Sequence, residues 1–272
     1  MITAPFTYRR AASVGEALDL AADSGEEAKF LAGGHSLLPL MKLRLAVPDI
    51  LIDIGRLTEL RYVRDEGSHV AVGALTTHDE VARSAVLAAH VPLLAHAAGQ
   101  VGDPQVRHRG TIGGSLAHAD PAADLPAVVL ALDATLVARG PGGSREIAAV
   151  EFFRDLFETA LRPDELLTEI RVPKGNGGAW SFQKFAKRGI DWAIVGVAVQ
   201  GGSVALVNMG STPLRATAVE AALASGASPR DAAALAAEGT SAPDDLNGSR
   251  RYREHLARVL VGRALEQSRA GF

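Results

Sequence analysis

The 272-residue chain contains no cysteine. That excludes disulfides, thiolate metal sites and an iron–sulfur cluster held by this chain itself. Aromatic residues make up only 5% of it and the net charge is -3. Neither a base-stacking platform nor a basic surface for nucleic acid or anionic membrane is therefore expected. No apolar run approaches the roughly 18 residues of a membrane span. The opening Met1-Ile-Thr-Ala-Pro-Phe6 has no basic stretch followed by an apolar core, so no signal peptide is read there and the expected location is cytoplasmic. The eight histidines show no H-x-x-x-H spacing, so no metal site is expected. No G-x-S-x-G elbow supports a hydrolase, and no group stands out as catalytic. What remains is an apolar content of 47% with 22% charged residues, ordinary for a globular chain long enough for two modest domains.

The chain is organised around the irregular stretch from Gly99 to Pro126, which includes Thr111-Ile-Gly-Gly-Ser115 and Asp120-Pro-Ala-Ala-Asp124. A long irregular segment in a compact domain is functional or disordered, and Val101, Val106, Ile112 and Leu116 argue against disorder. A second segment of the same kind lies upstream, Ala32-Gly-Gly-His-Ser-Leu-Leu-Pro39. There a short apolar run enters Gly33-Gly34, and Ser36 stands at the N-cap of a predicted helix. Strand, glycine turn and helix start leave backbone N–H groups free at a positive helix end, which suits a phosphate. The G-x-G-x-x-G order and the P-loop lysine are both missing. Two Gly-Gly loops gripping one extended diphosphate from two sides fit the pattern instead.

These two motifs, in this order, resemble the flavin-binding motifs of the FAD-binding medium subunits of molybdenum hydroxylases, the xanthine oxidase family. Within that family the resemblance is strongest to medium subunits of the carbon monoxide dehydrogenase type. It continues through Glu165-Leu-Leu-Thr-Glu-Ile-Arg-Val-Pro173 and Lys184, Arg188 and Asp191-Trp-Ala193 to the last helix, so it covers nearly the whole chain. It implies an α+β fold: a two-part FAD-binding domain of the PCMH, vanillyl-alcohol-oxidase-like type, followed by a smaller C-terminal domain built on a three-stranded antiparallel sheet with helices. The expected division is 1–173, with subdomains 1–56 and 57–173, then 179–272.

Periodicity and turn residues predict the elements. Ser13-Val-Gly-Glu16 reads as a capping box opening a helix that Gly25 ends. Lys29 to Ala32 and Ile50 to Ile54 read as strands, with a helix between them running to about Ala46. A strand over Val70 to Ala74 and a capping box at Thr77-His-Asp-Glu80 follow, then a helical pattern from Val81 to Ala98 restarted at Pro92. Asp124 is predicted to cap a helix with Pro126 in its first turn. Strands are expected at Thr135 to Ala138, Glu146 to Val150 and Leu166 to Val172, and a linker at 174–178. Beyond it, Ser181 to Ala186, Ala193 to Gln200 and Val204 to Met209 read as three antiparallel strands. Helices near Ala216 to Ala224, Pro229 to Glu238 and Ser249 to Ser268 complete the chain, the last packed on that sheet.

For Gly33, Gly34, Gly113 and Gly114 the functional expectation is close backbone approach to the flavin diphosphate; the alternative is two structural turns. Ser36 and Thr111 read as caps, as donors to phosphate, or both, and His35 as a backbone amide. The resemblance adds Ala32, Leu37, Val101, Gly102, Ser115 and Leu167 to the cofactor-binding set. It places Asp124 at the adenosine half of FAD, through a ribose hydroxyl, where the alternative is an ordinary N-cap. Asp120 reads as structural, since Asp-Pro starts turns. The resemblance puts Lys184 near the flavin ring, where the alternative is a solvated basic strand edge. Trp192 occupies a position where the family often carries Tyr; it either covers one face of the isoalloxazine or packs in the core beside Ala193 and Ile194.

The function implied is that of an electron-transfer flavoprotein subunit holding FAD non-covalently, since no cysteinyl link is possible. Its partners would be an iron–sulfur small subunit and a molybdenum-cofactor large subunit, as a dimer of heterotrimers. Electrons would arrive singly from the clusters and leave to a quinone, NAD or dioxygen. The alternatives are a self-sufficient flavin oxidoreductase, a medium subunit serving an N-heterocycle or an aldehyde, and a binding module that has lost the flavin.

Overall fold

The computed structural model describes residues 2–174 and 178–270, so the centre of the expected linker, 175–177, lies outside the described residues. The chain begins with Thr7–Arg10 (β1), Val14–Ser24 (α1), Ala28–Leu31 (β2), Leu37–Lys42 (α2) and Ile50–Asp53 (β3). These strands form a parallel sheet in the order β1-β3-β2. At α1 the Ser13 hydroxyl accepts from Glu16 N–H at 3.1 Å, but the Glu16 carboxylate returns to Ala12 N–H at 2.7 Å, so the expected box is shifted by one residue. The helix after the first Gly-Gly turn stops at Lys42 instead of near Ala46. Arg44 turns left-handed at φ 57°, and the N–H groups of Leu45 and Ala46 both fold onto the Leu40 carbonyl.

Next come Val63–Asp65 (β4), His69–Gly73 (β5), His78–Arg83 (α3), Ala85–His90 (α4), Pro92–Gly99 (α5), Pro104–Arg107 (α6), Ile112–His118 (α7) and Asp124–Ala131 (α8). They are followed by Thr135–Gly140 (β6), Gly143–Ala148 (β7), Ala149–Phe152 (α9), Phe153–Asp155 (β8), Glu158–Thr159 (β9) and Leu166–Pro173 (β10). An antiparallel sheet runs in the order β4-β5-β10-β6-β7. The capping box at Thr77 and Glu80 forms as predicted. The stretch 99–126, expected to be irregular, carries α6 and α7, each opened by its own cap: Asp103 accepts from Val106 N–H and Thr111 from Gly114 N–H.

The last part contains Trp180–Phe185 (β11), Val195–Gln200 (β12), Ser203–Val207 (β13), Leu214–Arg215 (β14), Thr217–Ala224 (α10), Pro229–Ala234 (α11) and Arg250–Ala270 (α12). Its antiparallel sheet has the order β11-β12-β13-β14, so a short fourth strand joins the three expected. Side chains alternate across this sheet. Val195, Val197, Val199, Val204 and Leu206 face α10, α11 and α12, whereas Ala198, Ala205 and Val207 belong to the same core as α5 and α8.

The consequence is that α8 lies between this sheet and the helices α5 and α7. All eight of its residues are buried, as expected of a helix apolar on every face. Arg215 ties that sheet to the end of this helix, donating to the Leu130 carbonyl at 3.2 Å and pairing with Asp133 at 2.6 Å. Leu125→Ala is expected to cost roughly 2–5 kcal/mol, the usual range for a buried Leu truncated in a packed core. Val150→Ala, at a side chain 69% exposed, is expected to change stability by less than about 0.5 kcal/mol. Urea unfolding of both variants checks the contrast.

Candidate functional site

The two Gly-Gly turns converge on one cleft of about 800 Å³, inside the roughly 300–1,000 Å³ range of cofactor sites. Every residue singled out from the sequence lines it: Ala32 to Leu37, Val101, Gly102, Thr111, Gly113 to Ser115, Asp124, Leu167, Lys184 and Trp192. The structure also distinguishes what each contributes.

The first turn supplies open amides. No acceptor among the described residues receives the backbone N–H of Gly33, Gly34, His35, Ser36 or Leu37. Five successive unsatisfied donors form a concave anion cradle of the nest type. Ser36 is not the expected cap: its backbone is helical (φ -99°, ψ -52°) and its hydroxyl makes no cap bond. With α2 only six residues long, the turn itself and not a helix dipole provides the donors.

The second turn has its amides already occupied. Gly113 N–H donates to the Ala74 carbonyl at 2.8 Å, Gly114 N–H to the Thr111 hydroxyl at 3.1 Å and Ser115 N–H to the Thr111 carbonyl at 3.0 Å. Packing explains one glycine of each pair. A Cβ on Gly33 would stand 2.1 Å from the Arg109 carbonyl oxygen, and one on Gly113 would stand 2.5 Å from Ala74 Cβ. Gly34 is required for its φ of 79°. Gly114 faces the gap between the turns, where a Cβ would meet only the Thr111 hydroxyl at 2.8 Å and Ala32 Cβ at 3.9 Å. The picture of two equivalent loops gripping a diphosphate is thus replaced by one cradle and one closely fitted wall carrying the Thr111 and Ser115 hydroxyls.

Asp124 is not an N-cap. Ala123 holds the extended cap conformation, and Asp124 is the first residue of α8, with no capping bond. Its carboxylate is buried (5% exposed) and its Oδ2 accepts from Lys184 Nζ at 2.7 Å. Lys184 is itself 6% exposed at its side chain, which overturns the solvated-edge alternative, and it also donates to the Gln100 carbonyl at 3.1 Å. Asp124, expected at the adenosine half, and Lys184, expected near the flavin ring, form one buried ion pair. Asp124 Oδ1 has no partner. Burial pushes this carboxyl up to about 6, outweighing the opposite pull of the Lys184 cation.

Trp192 is 59% exposed on the loop between β11 and β12, so it is no core residue. The base of that loop is fixed: Asn208 Nδ2 donates to the Ala193 carbonyl at 2.8 Å and the fully buried Arg253 donates to the Ile194 carbonyl. Leu167 lies buried on β10 beside a register shift. At Gly102 φ is 52°, and Arg107 Nη1 donates to the carbonyls of Val101 and Gly102, both at 3.1 Å. Asp120 is structural as expected, its Oδ1 accepting from Ala122 N–H at 2.9 Å. Sequence reasoning missed His78, seen there only as part of a capping box, and Phe157, which lines the cleft in a left-handed conformation (φ 57°) stacked on His118 at 5.0 Å. Among the described residues no group of three or more His, Cys, Asp or Glu side chains is placed to hold a metal.

The raised Asp124 pKa has a definite sign. The folded chain binds this proton more tightly than the unfolded chain, whose carboxyl titrates near about 4. Its favourable contribution is complete below about pH 4 and is lost as pH rises to about 6. Asp124→Asn is expected to lose less stability than the parent chain between about pH 4.5 and about pH 7 in urea unfolding, since this titration is then absent.

Comparison with known proteins agrees with this geometry. Residues 4–175 match the family described as the FAD binding domain in molybdopterin dehydrogenase, and residues 180–268 the CO dehydrogenase flavoprotein C-terminal domain. The carbon monoxide dehydrogenase medium chain of Hydrogenophaga pseudoflava is 43% identical, over 97% of each chain. The 6-hydroxypseudooxynicotine dehydrogenase complex subunit alpha of Paenarthrobacter nicotinovorans is 39% identical, over 97% of this chain and 94% of that one. The solved structure of carbon monoxide dehydrogenase from Hydrogenophaga pseudoflava lacking the Mo-pyranopterin moiety superimposes with a TM-score of 0.95, at 44% identity over 99% of each chain. A cleft with an open amide cradle and a buried acceptor, on a chain matched along nearly its whole length, identifies it as a member of the FAD-binding medium-subunit family of molybdenum hydroxylases.

Proposed function

We propose that the chain is the FAD-binding electron-transfer subunit of a cytoplasmic molybdenum hydroxylase of the carbon monoxide dehydrogenase type. It would take electrons from an iron–sulfur small subunit, which serves a molybdenum-cofactor large subunit in a dimer of heterotrimers, and pass them to an external acceptor. On this reading 1–173, with parts 1–56 and 57–173, is the cofactor-binding domain, and 179–272 closes over the flavin. The observation that carries the reading is the cleft itself, lined by both glycine segments, with five backbone amides at the first turn that no protein group accepts.

FAD supplies the redox chemistry, and the chain's task is to bind it and set its surroundings. The N–H groups of Gly33 to Leu37 would hold the diphosphate, with the Ser36, Thr111 and Ser115 hydroxyls as further donors. Because Lys184 and Trp192 stand on β11 and the loop after it, we assign the Asp124–Lys184 pair to the flavin half. Asp124 would hold the Lys184 side chain in position there through their 2.7 Å ion pair. On this reading the Lys184 side chain would stand near the ring, where a cation favours the reduced, anionic form of a flavin. The exposed face of Trp192 offers a flat surface to the ring.

A second reading changes only the substrate of the complex. The 39% identity to the subunit of a 6-hydroxypseudooxynicotine dehydrogenase complex supports an N-heterocycle hydroxylase with the same electron path.

The chain, purified alone or with co-expressed partner subunits, is expected to show the two visible absorbance bands of oxidised flavin after desalting. Gly114→Val, which fills the gap between Thr111 and Ala32, is expected to fold and to come through desalting colourless. A parent chain that stays colourless even with its partners, or a variant with full FAD content, would sink the assignment.

A further inference from the structure

The parallel sheet ends in a row of matched residues. Arg10, Asp53 and Leu31 are the last residues of β1, β3 and β2, and Asp53 is in register with both of the others. Residues at matched positions of neighbouring strands stand on the same face of a sheet. In open α/β sheets the carboxyl ends of the strands are where ligands bind. A cavity of about 220 Å³ lies at this end of the sheet, and its lining includes Arg10, Leu31, Asp53, Gly55, Arg56 and Arg109. Residues 31 to 33 wall both this cavity and the cofactor cleft. The two are distinct spaces, because Gly33 packs on the Arg109 backbone between them.

The charges in this lining do not balance. Its one carboxylate is already engaged: Asp53 Oδ1 accepts from Gly55 N–H at 2.8 Å and Oδ2 accepts from the Tyr8 hydroxyl. Arg10 Nε reaches the same Tyr8 hydroxyl, at a long 3.5 Å, which keeps its guanidinium beside Asp53 without an ion pair. Among the described residues the side chains of Arg56 and Arg109 have no hydrogen bond, and none of the three arginines pairs with a carboxylate. Elsewhere Arg61, Arg145, Arg171, Arg215 and Arg253 all do. Three cations around one carboxylate leave two positive charges over. Like charges gathered in one cavity repel, and a bound dianion removes that repulsion. The planar fork of a guanidinium matches the oxygens of a phosphate group.

We propose that this cavity is an anion site separate from the amide cradle, taking the dianionic phosphate group of inorganic phosphate or of a phosphomonoester between Arg10, Arg56 and Arg109. The site stands independently of the cofactor reading. Arg10 and Arg56 belong to the first part of the chain and Arg109 to the second. The bound anion would therefore tie the two parts together on the outer side of the Gly33–Arg109 contact.

The test follows the thermal midpoint of the full chain against inorganic phosphate at constant ionic strength, with FAD present to keep phosphate out of the amide cradle. The parent midpoint is expected to rise with phosphate, as for any ligand held only by the folded chain. Arg56 and Arg109 are exposed, so their variants keep the fold. Arg56→Gln and Arg109→Gln are each expected to weaken phosphate binding by roughly 10- to 150-fold, the effect of losing a hydrogen bond to a charged group. Arg230→Gln removes the same charge from an exposed position at the start of α11 and is expected to leave the affinity unchanged. A phosphate response shared equally by all three variants reflects net charge and overturns the proposal. So does a parent midpoint that chloride at the same ionic strength reproduces. Glycerol 3-phosphate separates the two sources: binding as tight as that of phosphate assigns the site to a phosphorylated molecule, and weaker binding assigns it to the free ion. A parent chain that takes up no FAD overturns the cofactor reading alone, and the comparison of variants still decides this site.

Discussion

The structure depends on α8 being buried on every side. The helix packs against one face of the four-stranded sheet, with α5 and α7 on its other side. Valine and leucine occupy the opposite face of that sheet, against α12. Packing against this sheet holds the helix in place. It also settles where the helix begins, with Asp124 at the wall of the cleft and Lys184 on β11 within 2.7 Å of it. A buried ion pair is weak evidence for stability. Here the pair leaves one buried carboxylate oxygen without a partner.

The two glycine pairs look alike in sequence and act differently. In each, the first glycine is demanded by backbone or side chain pressed against it. Only at the first turn do the amides remain free; at the second they are consumed by Ala74 and Thr111. A run of N–H groups that no protein group accepts suits a ligand carrying phosphate, a description that FAD meets.

Much of this was legible in the sequence because it rests on local chemistry. The Thr77–Glu80 box, the Gly-Gly turns and the alternating Val-rich strands each carry their signal within a few residues. Strand β1 carried none: all four of its residues are exposed, and only the pairing with β3 makes it a strand. Helices α6 and α7 were hidden in a stretch too short and glycine-rich for a helical period to show. Asp124 and Lys184 are sixty positions apart, and Asp124 follows Pro121-Ala-Ala, where a cap is the simplest local expectation. Their pairing follows from the sheet that holds β11 packing on α8, which no local pattern reports.

The most direct measurement compares the dissociation constants of the full chain for FAD and for riboflavin, which keeps the ring and the polyol but lacks the diphosphate. If the amides of Gly33 to Leu37 hold the diphosphate, FAD binds tighter by roughly a hundredfold or more, the effect of several hydrogen bonds to a charged group. Equal affinity for the two would contradict the cradle, and with it the assignment of the cleft.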